Sequence, residues 1–190
     1  MNLKAVSTAL ATIALASCGA TGGASNEATN GGASMDTAAV TKRLTLTSDA
    51  FQNGQPIPQI YSCDGANHSP ALLWSDPPQG AKSFALVIDD PDAPKGTFRH
   101  WGVYDIPASA RGIAAGQHIG TEVNNDGGKR GYTGPCPPRG NGVHHYHFKL
   151  FALGVDKLAL DQKASVADVE TAASSHAIAQ GELIGTYERK

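Results

Sequence analysis

The sequence has no surplus of positive charge, and its Lys and Arg residues form no cluster. Fifteen Lys and Arg stand against 17 Asp and Glu in 190 residues, so the formal net charge is −2. This balance excludes a protein that binds nucleic acid mainly through its overall charge. The sequence also lacks an apolar run of the roughly 20 residues that span a membrane, so we expect no transmembrane segment in the mature chain.

The signature motifs of several enzyme classes are missing as well. No His-Glu-x-x-His or paired Cys-x-x-Cys motif indicates a zinc site, and no glycine-rich loop with its lysine indicates nucleotide chemistry. No Gly-x-Ser-x-Gly motif supplies a nucleophilic serine. We therefore expect a protein that is not an enzyme and needs no cofactor or metal. Two alternatives stay open: a metal-dependent enzyme built on clustered histidines, and an acid–base hydrolase that uses Asp90 and His144.

Glycine and proline, by contrast, are abundant. The chain contains 22 Gly and 11 Pro, and 41% of its residues are hydrophobic. Gly and Pro favour turns, and this hydrophobic content is typical of a chain with a folded core. The sequence therefore predicts a mainly β domain with short strands and many turns rather than a helix bundle.

The N-terminal residues have the pattern of an export signal. Lys4 precedes an apolar run over residues 5–16, which has the length of a signal-peptide core. The run ends in Leu15-Ala16-Ser17-Cys18-Gly19, which resembles the lipobox of bacterial lipoproteins. We therefore expect residues 1–17 to be a lipoprotein signal peptide and Cys18 to be lipidated. The alternative is an ordinary secretory signal.

Residues 18–40 are mostly Gly, Ala, Ser, Thr and Asn, and they contain no aromatic residue, Lys or Arg. This composition predicts a flexible tether. The folded domain is then expected to span residues 41–190. The expected location is the cell envelope, where a lipid anchor holds an extracytoplasmic protein to the membrane, on the periplasmic side if the bacterium is Gram-negative.

Two cysteines remain for the folded domain. In an exported protein an even number of cysteines favours a disulfide, here between Cys63 and Cys136. Such a bond would close a loop of roughly seventy residues and contribute about 4 kcal/mol in the chain-entropy model. The alternative is a pair of buried free thiols.

Hydrophobic patterning predicts three main strands. Residues 83–88 form a continuous apolar run, as in a strand that is buried on both faces. Residues 101–106 form a second strand, which Pro107 ends. Residues 144–153 alternate, so the even-numbered side chains, from His144 onward, lie on one face and the odd-numbered ones on the other.

One helix is predicted near the C terminus. Ser165 and Asp168 form a capping-box pair, which is typical of a helix start. An apolar face follows as far as Ala177, and Gly181 is expected to close the helix. Residues 183–187 then predict a short final strand.

Polar residues lie at the ends of these predicted strands. Three carboxylates follow the first strand, His100 opens the second, and a rigid, proline-dense loop leads to His144 and Tyr146 on the third. Acids at the end of a buried strand are costly unless something pairs with them or binds to them. We therefore expect an Asp, two His and a Tyr to converge on a small polar cavity. The segments concerned are Asp89-Asp90-Pro91-Asp92-Ala93-Pro94, His100-Trp101, Gly134-Pro135-Cys136-Pro137-Pro138 and Gly142-Val143-His144-His145-Tyr146.

These segments resemble the two signature blocks of the phosphatidylethanolamine-binding protein family, most closely its bacterial, Raf-kinase-inhibitor-like branch. The resemblance extends to Cys63-Asp64-Gly65 and Gly185-Thr186-Tyr187, and it covers the chain from about Leu44 onward. One departure is His145, where the family usually has Arg. Because this side chain is expected to point away from the pocket, we expect an altered rim rather than a lost site.

The resemblance implies a mainly β fold, with two antiparallel sheets in a Greek-key arrangement and a C-terminal helix. It also implies a pocket that binds a phosphate-like anion or a phospholipid headgroup. Family links to kinases and serine proteases leave a second function open, that of a protein-interaction or inhibitor module with a vestigial pocket. The pocket residues carried over from the family are Asp90, Asp92, His100, Trp101, Pro137, His144 and Tyr146.

The chemistry of such a pocket depends on its histidines. A carboxylate repels an anion, so Asp90 is not expected to be a simple ligand contact. It is expected instead to orient a histidine or to accept a proton carried by the bound phosphate. His100 or His144 would donate to the anion best when protonated. We therefore expect the affinity for an anion to fall as the pH rises above about 6.5, the ordinary histidine value.

Overall fold

The computed structural model describes residues 42–190. The predicted signal peptide of residues 1–17, the lipidation site at Cys18 and the tether of residues 18–40 lie outside the described residues. Within residues 42–190 the chain forms ten strands, one α-helix and a short 3-10 turn. Their bounds are β1 Lys42–Arg43, β2 Thr45–Thr47, β3 Gln55–Pro56, the 3-10 turn Gln59–Tyr61, β4 Leu72–Ser75, β5 Ser83–Asp90, β6 Phe98–Pro107, β7 Gly112–Ile113, β8 Thr121–Glu122, β9 His144–Leu153, α1 Val166–His176 and β10 Ala177–Tyr187.

A seven-stranded sheet forms the centre of the domain. Its order is β1-β10-β9-β5-β6-β8, and β3 pairs with a separate part of β10. β5 pairs with the next strand, β6, whereas β9 returns from a long connection to lie on the other side of β5. This non-sequential order agrees with the Greek-key arrangement that the resemblance implied. The sheet is antiparallel except where β1 and β3 pair parallel with β10.

The three predicted main strands are confirmed, two of them in extended form. Every residue of β5 is buried, as the apolar run predicted, and the strand continues through Asp89 and Asp90. β6 begins earlier than predicted, at Phe98, and ends at Pro107. β9 has the predicted bounds, with its even-numbered side chains buried and His145 exposed.

One face of the large sheet packs on a second sheet of three strands, in the order β2-β4-β7. Trp74 of β4 packs on Phe84 of β5, with ring centroids 5.5 Å apart. Phe51 packs on Phe148 of β9 at 5.4 Å. Two sheets that share one apolar layer therefore hold β5 and β9 in place.

The opposite face of the large sheet is covered by α1. The buried helix residues Val166, Val169 and Ala173 pack against apolar side chains of the sheet. The predicted capping box is present, since Ser165 and Asp168 bond reciprocally at the helix start. Among residues 42–190 no helix is long and apolar enough to cross a membrane.

The predicted helix end is wrong. α1 ends at His176, and Ala177 already begins β10. The reason is the antiparallel pairing with β9, which extends along the whole length of β10. The backbone from Ala177 onward is therefore extended rather than helical. Gly181 lies inside this strand, where an added Cβ would stand only 2.7 Å from the Leu44 carbonyl oxygen. The predicted strand of residues 183–187 is therefore the second half of β10.

The predicted disulfide joins Cys63 to Cys136, with the two Cα atoms 5.4 Å apart. The backbone N–H of Cys63 also donates to the carbonyl of Pro135 at 3.1 Å. Two segments that are distant in sequence are thus joined by both a covalent bond and a main-chain hydrogen bond. The alternative of two free thiols is not what the structure contains.

The capping box yields a stability prediction. Ser165→Ala removes a side chain that accepts from the backbone N–H of Asp168, so we expect the free energy of unfolding to fall by about 1 kcal/mol. Ser175→Ala, at an exposed position in the same helix, is the matched control and should cost much less, because Ala favours the helix interior. Urea unfolding of both variants measures the difference. Equal losses would contradict the assigned helix start.

Candidate functional site

The candidate site lies at one end of the large sheet, where three adjacent strands each bury a polar residue. Asp90 ends β5, His144 begins β9 and His100 lies near the start of β6. Their exposed fractions are 3%, 1% and 4%. Buried polar groups cost free energy unless they are hydrogen-bonded, so the partners of these three side chains determine what the site can do.

A β-bulge places His100 at this site. Ile88 pairs with Trp101 whereas Asp89 pairs with Arg99, so His100 has no partner in β5. An extra residue of this kind bends a strand and redirects its side chains. His100 therefore lies on the same side of the sheet as Trp101, although successive residues of a regular strand point to opposite faces.

Asp90 and His144 form a buried hydrogen-bonded pair. Nδ1 of His144 lies 2.7 Å from Oδ2 of Asp90. An ionised carboxylate only accepts hydrogen bonds, so Nδ1 carries the proton of this bond. The other carboxylate oxygen accepts from the backbone N–H of Asp92 at 2.9 Å. Asp90 thus fixes both the orientation and the tautomer of His144.

The second ring nitrogen of His144 is also hydrogen-bonded. Its Nε2 lies 2.9 Å from Nδ2 of Asn141, a residue of the loop that precedes β9. With the proton on Nδ1, Nε2 of the neutral ring accepts from the Asn141 amide. Both ring nitrogens of His144 are therefore paired within the chain.

His100 is held in a neutral state. Its Nδ1 lies 2.8 Å from the carbonyl oxygen of Thr133, so Nδ1 donates and Nε2 carries the free lone pair. Burial lowers the pKa of His100 from its ordinary value of 6.5, and the Thr133 carbonyl and the Asp90 charge offset this only in part. The rings of Phe98 and Tyr146 lie against it, with centroids at 4.7 and 5.3 Å. His100 is therefore uncharged at neutral pH.

A cavity of about 190 Å³ opens beside these residues. Its polar groups come from the strand ends, and its other walls are largely apolar. Such a combination, a few placed polar groups in an apolar concavity, is typical of small-ligand sites. The lining residues are Asp90, Ala93, Pro94, Phe98, His100, Thr133, Cys136, Pro137, Pro138 and His144.

The proline-dense wall of the cavity is fixed from behind by the C-terminal residues. The guanidinium of Arg189 binds the carboxylate of Asp64 with both Nε and Nη2, at 2.8 and 2.7 Å. Its Nη1 donates to the carbonyl of Pro137 at 3.5 Å. The Arg189 hydrogen bond lowers the pKa of Asp64 below 3.8, so the pair stays ionised. Together with the disulfide at Cys136, this pair limits movement of the wall.

Four of the seven expected pocket residues line the cavity: Asp90, His100, Pro137 and His144. The structure places Trp101 in the core instead, where its Nε1–H donates to Glu122 at 2.7 Å. The Trp101 ring also packs edge-on against Tyr132. Its apolar body and its polar atom are therefore both used inside the fold.

Asp92 also points elsewhere. Its Oδ2 accepts from the backbone N–H and from the ring Nδ1 of His145, at 2.9 and 2.7 Å. The bond from the His145 ring holds the pKa of Asp92 below 3.8. Both side chains are about half exposed, so they form a rim pair outside the cavity. Asp92 contributes to the site through its backbone N–H, which donates to Asp90.

Tyr146, the third expected residue outside the lining, packs on the ring of His100. Its hydroxyl is buried and has no hydrogen-bond partner in the described part of the chain. Burial first, and then the negative charge of Asp90, raise the pKa of Tyr146 far above 10, so the hydroxyl keeps its proton. A buried donor without a partner is rare and marks a place where a water or a ligand atom is expected.

Sequence reasoning did not identify Phe98, Thr133, Asn141 and Arg189. Phe98 and Thr133 become neighbours of His100 only through the β6 bulge and a loop bond. Arg189 lies 125 residues from Asp64, and no local pattern joins them. Asn141 precedes a signature block and has the sequence context of an ordinary loop residue, so no pattern in the sequence indicated a role at the site.

The opposite face of the same strand ends carries an ion-pair network. Nζ of Lys149 lies 2.6 Å from Asp89 and 2.9 Å from Glu170 of α1. Burial lowers the pKa of Lys149, but the hydrogen bonds to the two carboxylates outweigh it, and the net shift is upward. Asp89 and Asp90, adjacent in β5, thus serve different faces of the sheet.

The clustered histidines of the sequence had left a metal-dependent enzyme as an alternative. The structure places His145 with Asp92 and His147 with Glu182, both on the side of β9 away from His144. In residues 42–190 no three side chains of His, Cys, Asp or Glu come together as a metal site requires. His100, His144, His145 and His147 are each paired with a carboxylate, a carbonyl or an amide.

Comparison with known proteins places the chain in a family. The sequence model of the phosphatidylethanolamine-binding protein family matches residues 47–188, which is most of the chain. The chain belongs to the phosphatidylethanolamine-binding protein (PEBP) family. It is therefore a binding protein of the PEBP type, and the mainly β fold expected from the resemblance is confirmed.

Two relatives illustrate the similarity. A UPF0098 protein of Aquifex aeolicus is 49% identical over 152 residues, which cover 77% of this chain and 89% of the relative. LppC of Mycobacterium tuberculosis, a candidate lipoprotein by its name, is 43% identical over 185 residues, which cover 93% of this chain and 90% of LppC. Each relative is matched over most of its own length.

Two crystal structures share the fold. YbcL of Escherichia coli, described as a member of the mammalian PEBP family, superposes with a TM-score of 0.73 at 35% identity. The PEBP homologue CT736 of Chlamydia trachomatis gives a TM-score of 0.72 at 39% identity. Each match covers 78% of this chain and 99% of the other.

The buried, neutral His100 yields a stability prediction. Because its pKa is lowered in the fold, the unfolded chain binds more protons as the pH falls below 6.5. The contribution of His100 to the free energy of unfolding should therefore decrease as the pH falls from about 7.5 to 5.5, a range above that in which Asp64 and Asp92 titrate.

His100→Gln removes this contribution, so its free energy of unfolding should fall less steeply over the same pH range. Urea unfolding at several pH values measures the slope. His176→Gln, at an exposed helix position, is the matched control and should keep the wild-type slope. An unchanged slope in His100→Gln would contradict the buried neutral state.

Proposed function

We propose that the cavity binds a small phosphate-like anion or a phospholipid headgroup and does not turn it over. The observation that carries this proposal is the buried His144–Asp90 pair, which lies with His100 at one cavity. The family name supports it, since a phosphatidylethanolamine headgroup contains a phosphate. The expected pocket residues Asp90, His100, Pro137 and His144 all line this cavity.

The lining offers little for a hydrolytic reaction. Thr133 is the hydroxyl-bearing residue among the lining side chains, and its Oγ1 accepts from the amide of Asn125 at 2.8 Å. A nucleophilic hydroxyl needs a base such as a histidine nitrogen within hydrogen-bonding reach. Nε2 of His144, the nitrogen that an Asp90–His144 acid–base mechanism would use, is paired with Asn141 instead. This arrangement favours binding over turnover.

The protonation states of the ligand and of the histidines determine how an anion would bind in the cavity. The Asp90 carboxylate is orienting rather than contacting, because it would repel the ligand. His100 presents a lone pair at Nε2, which matches a phosphate monoester that still carries a proton, since the second phosphate pKa is near 6. A diester headgroup lacks that proton and requires a protonated histidine. Both cases add one proton to the site, so binding is favoured at mildly acidic pH.

Calorimetric titration with phosphate and phosphoethanolamine tests the proposal. His144→Ala and Asp90→Ala should each weaken binding tenfold or more, because a charge-assisted hydrogen bond contributes roughly 1.5–3 kcal/mol. In the wild type the affinity should fall between pH 6 and pH 8. His147→Ala, on the outer side of β9, is the matched control and should bind as the wild type does.

Absence of binding by a folded wild type would overturn the anion proposal. The second candidate, a protein-interaction or inhibitor module with a vestigial pocket, would then be favoured, with a protease or kinase regulator as the class of partner to seek. Binding that survives His144→Ala would place the ligand elsewhere on the protein.

We further propose that a lipid at Cys18 anchors the protein to the cell envelope, with the domain extracytoplasmic. Two observations support this: the lipobox-like segment ending at Cys18, and the similarity to LppC. A match over 93% of the chain has to extend into residues 1–40, unlike the match over 77% to the Aquifex relative. A phospholipid ligand would then be available in the membrane that carries the anchor.

The anchor is tested in a bacterial host by membrane fractionation. Cys18→Ala removes the thiol that receives the lipid, so the mature protein should move from the membrane fraction to the soluble exported fraction. Ser17→Ala keeps both the cysteine and a small residue before it, and it should remain with the membrane. Equal distributions of the two variants would contradict lipidation.

A further inference from the structure

Asn141 occupies the nitrogen of His144 that an anion would need. Its Nδ2 lies 2.9 Å from His144 Nε2, while Nδ1 of the same ring is committed to Asp90. A neutral imidazole has one donor and one acceptor, so this ring is fully satisfied within the chain. An anion can accept a hydrogen bond from His144 only if Nε2 gains a proton and Asn141 gives way.

The geometry makes these two events inseparable. A proton on Nε2 would face the Asn141 NH₂ group, which also donates, so the existing bond could not persist. The amide must then turn over to present its oxygen, or it must leave. An anion that takes the Nε2 proton competes with Asn141 for the same position. Asn141 is therefore an internal competitor whose bond favours the neutral ring.

The backbone around Asn141 is suited to such a movement. The residue is exposed, and it lies between Gly140 and Gly142, whose φ angles are +74° and +83°. An added Cβ at either glycine would meet nothing within 4 Å, so the space beside both glycines is open. Two main-chain hydrogen bonds hold the turn, from the N–H of Gly140 to the carbonyl of Arg189 at 3.0 Å and from the N–H of Asn141 to the carbonyl of Pro138 at 3.2 Å. Neither bond involves the Asn141 side chain.

We propose that Asn141 acts as a latch on His144, which keeps Nε2 occupied until a phosphate-type anion accepts a hydrogen bond from the protonated ring. The inference rests on the anion-binding function proposed above and adds its regulation. The ionisable groups that face His144 or flank its loop come from several elements: Asp90 on β5, His100 on β6, Tyr146 and the His145–Asp92 pair at β9, and Arg139 beside Asn141.

A latch and a ligand contact predict opposite results. If Asn141 competes with the anion, its removal frees Nε2 and tightens binding. If the Asn141 amide instead donates directly to the bound anion, its removal weakens binding. The sign of the change in affinity therefore separates the two roles.

The first measurement follows the His144 ring without any ligand. The ring ¹⁵N resonances of the purified protein are recorded against pH for the wild type and for Asn141→Ala. Loss of the donor to Nε2 removes support for the neutral ring, so the midpoint of the Nε2 titration should move up by about half to one pH unit. Asn124→Ala, at an exposed asparagine outside the cavity, should leave the midpoint unchanged.

The second measurement is the affinity for inorganic phosphate at pH 7. Asn141→Ala should bind about two- to tenfold more tightly than the wild type. Asn141→Asp should raise the midpoint as well, since a carboxylate accepts from the protonated ring, but it should weaken phosphate binding by repulsion. This combination is not expected from a general loosening of the loop.

The outcomes distinguish the latch from the ligand. An upward shift with tighter phosphate binding supports the proposal. An unchanged midpoint, or weaker phosphate binding by Asn141→Ala, overturns it. If phosphate binds to none of the proteins while the midpoint still moves, the anion function fails and the control of His144 by Asn141 stands as a separate property.

Discussion

The antiparallel pairing of β5 with β9 is the constraint on which the site depends. It brings Asp90 and His144, which are 54 residues apart in sequence, into a hydrogen bond of 2.7 Å. A buried carboxylate and a buried imidazole are each unfavourable alone, and each satisfies the other here. Because the two apolar layers determine the register of β5 against β9, the position of the pair follows from the packing of the core rather than from the loops.

The same pair limits the chemistry of the cavity. The Asp90 carboxylate lies in the wall of the cavity and would repel an anion. An anion therefore needs hydrogen-bond donors that outweigh this repulsion. The two histidines that line the cavity are a neutral His100 and a His144 whose Nε2 is paired with Asn141. If the proposed anion binds here, its affinity depends on how readily these histidines are protonated. The histidine nitrogens would then determine binding more than the shape of the cavity does.

Much of this fold could be predicted from the sequence, because its strongest signals are local. The apolar run of β5 and the alternation of β9 could be recognised in the sequence, since burial on two faces or on one produces a local pattern of apolar residues. The end of α1 could not, because the β9 ladder overrides a helical pattern. Among site residues, Asp90 and His144 carried local signals, whereas Asn141 and Arg189 act through contacts that exist only after folding.

The cavity is also coupled to both faces of the sheet through consecutive residues. Asp90 faces His144, whereas Asp89 faces Lys149, which in turn binds Glu170 of α1. A shift of this strand end would have to break charged contacts on both faces at once. On the opposite side of the cavity, the proline-dense wall is held by the disulfide at Cys136 and by Arg189. Under the proposals made above, the part of the site that would respond to a ligand is the exposed turn that carries Asn141.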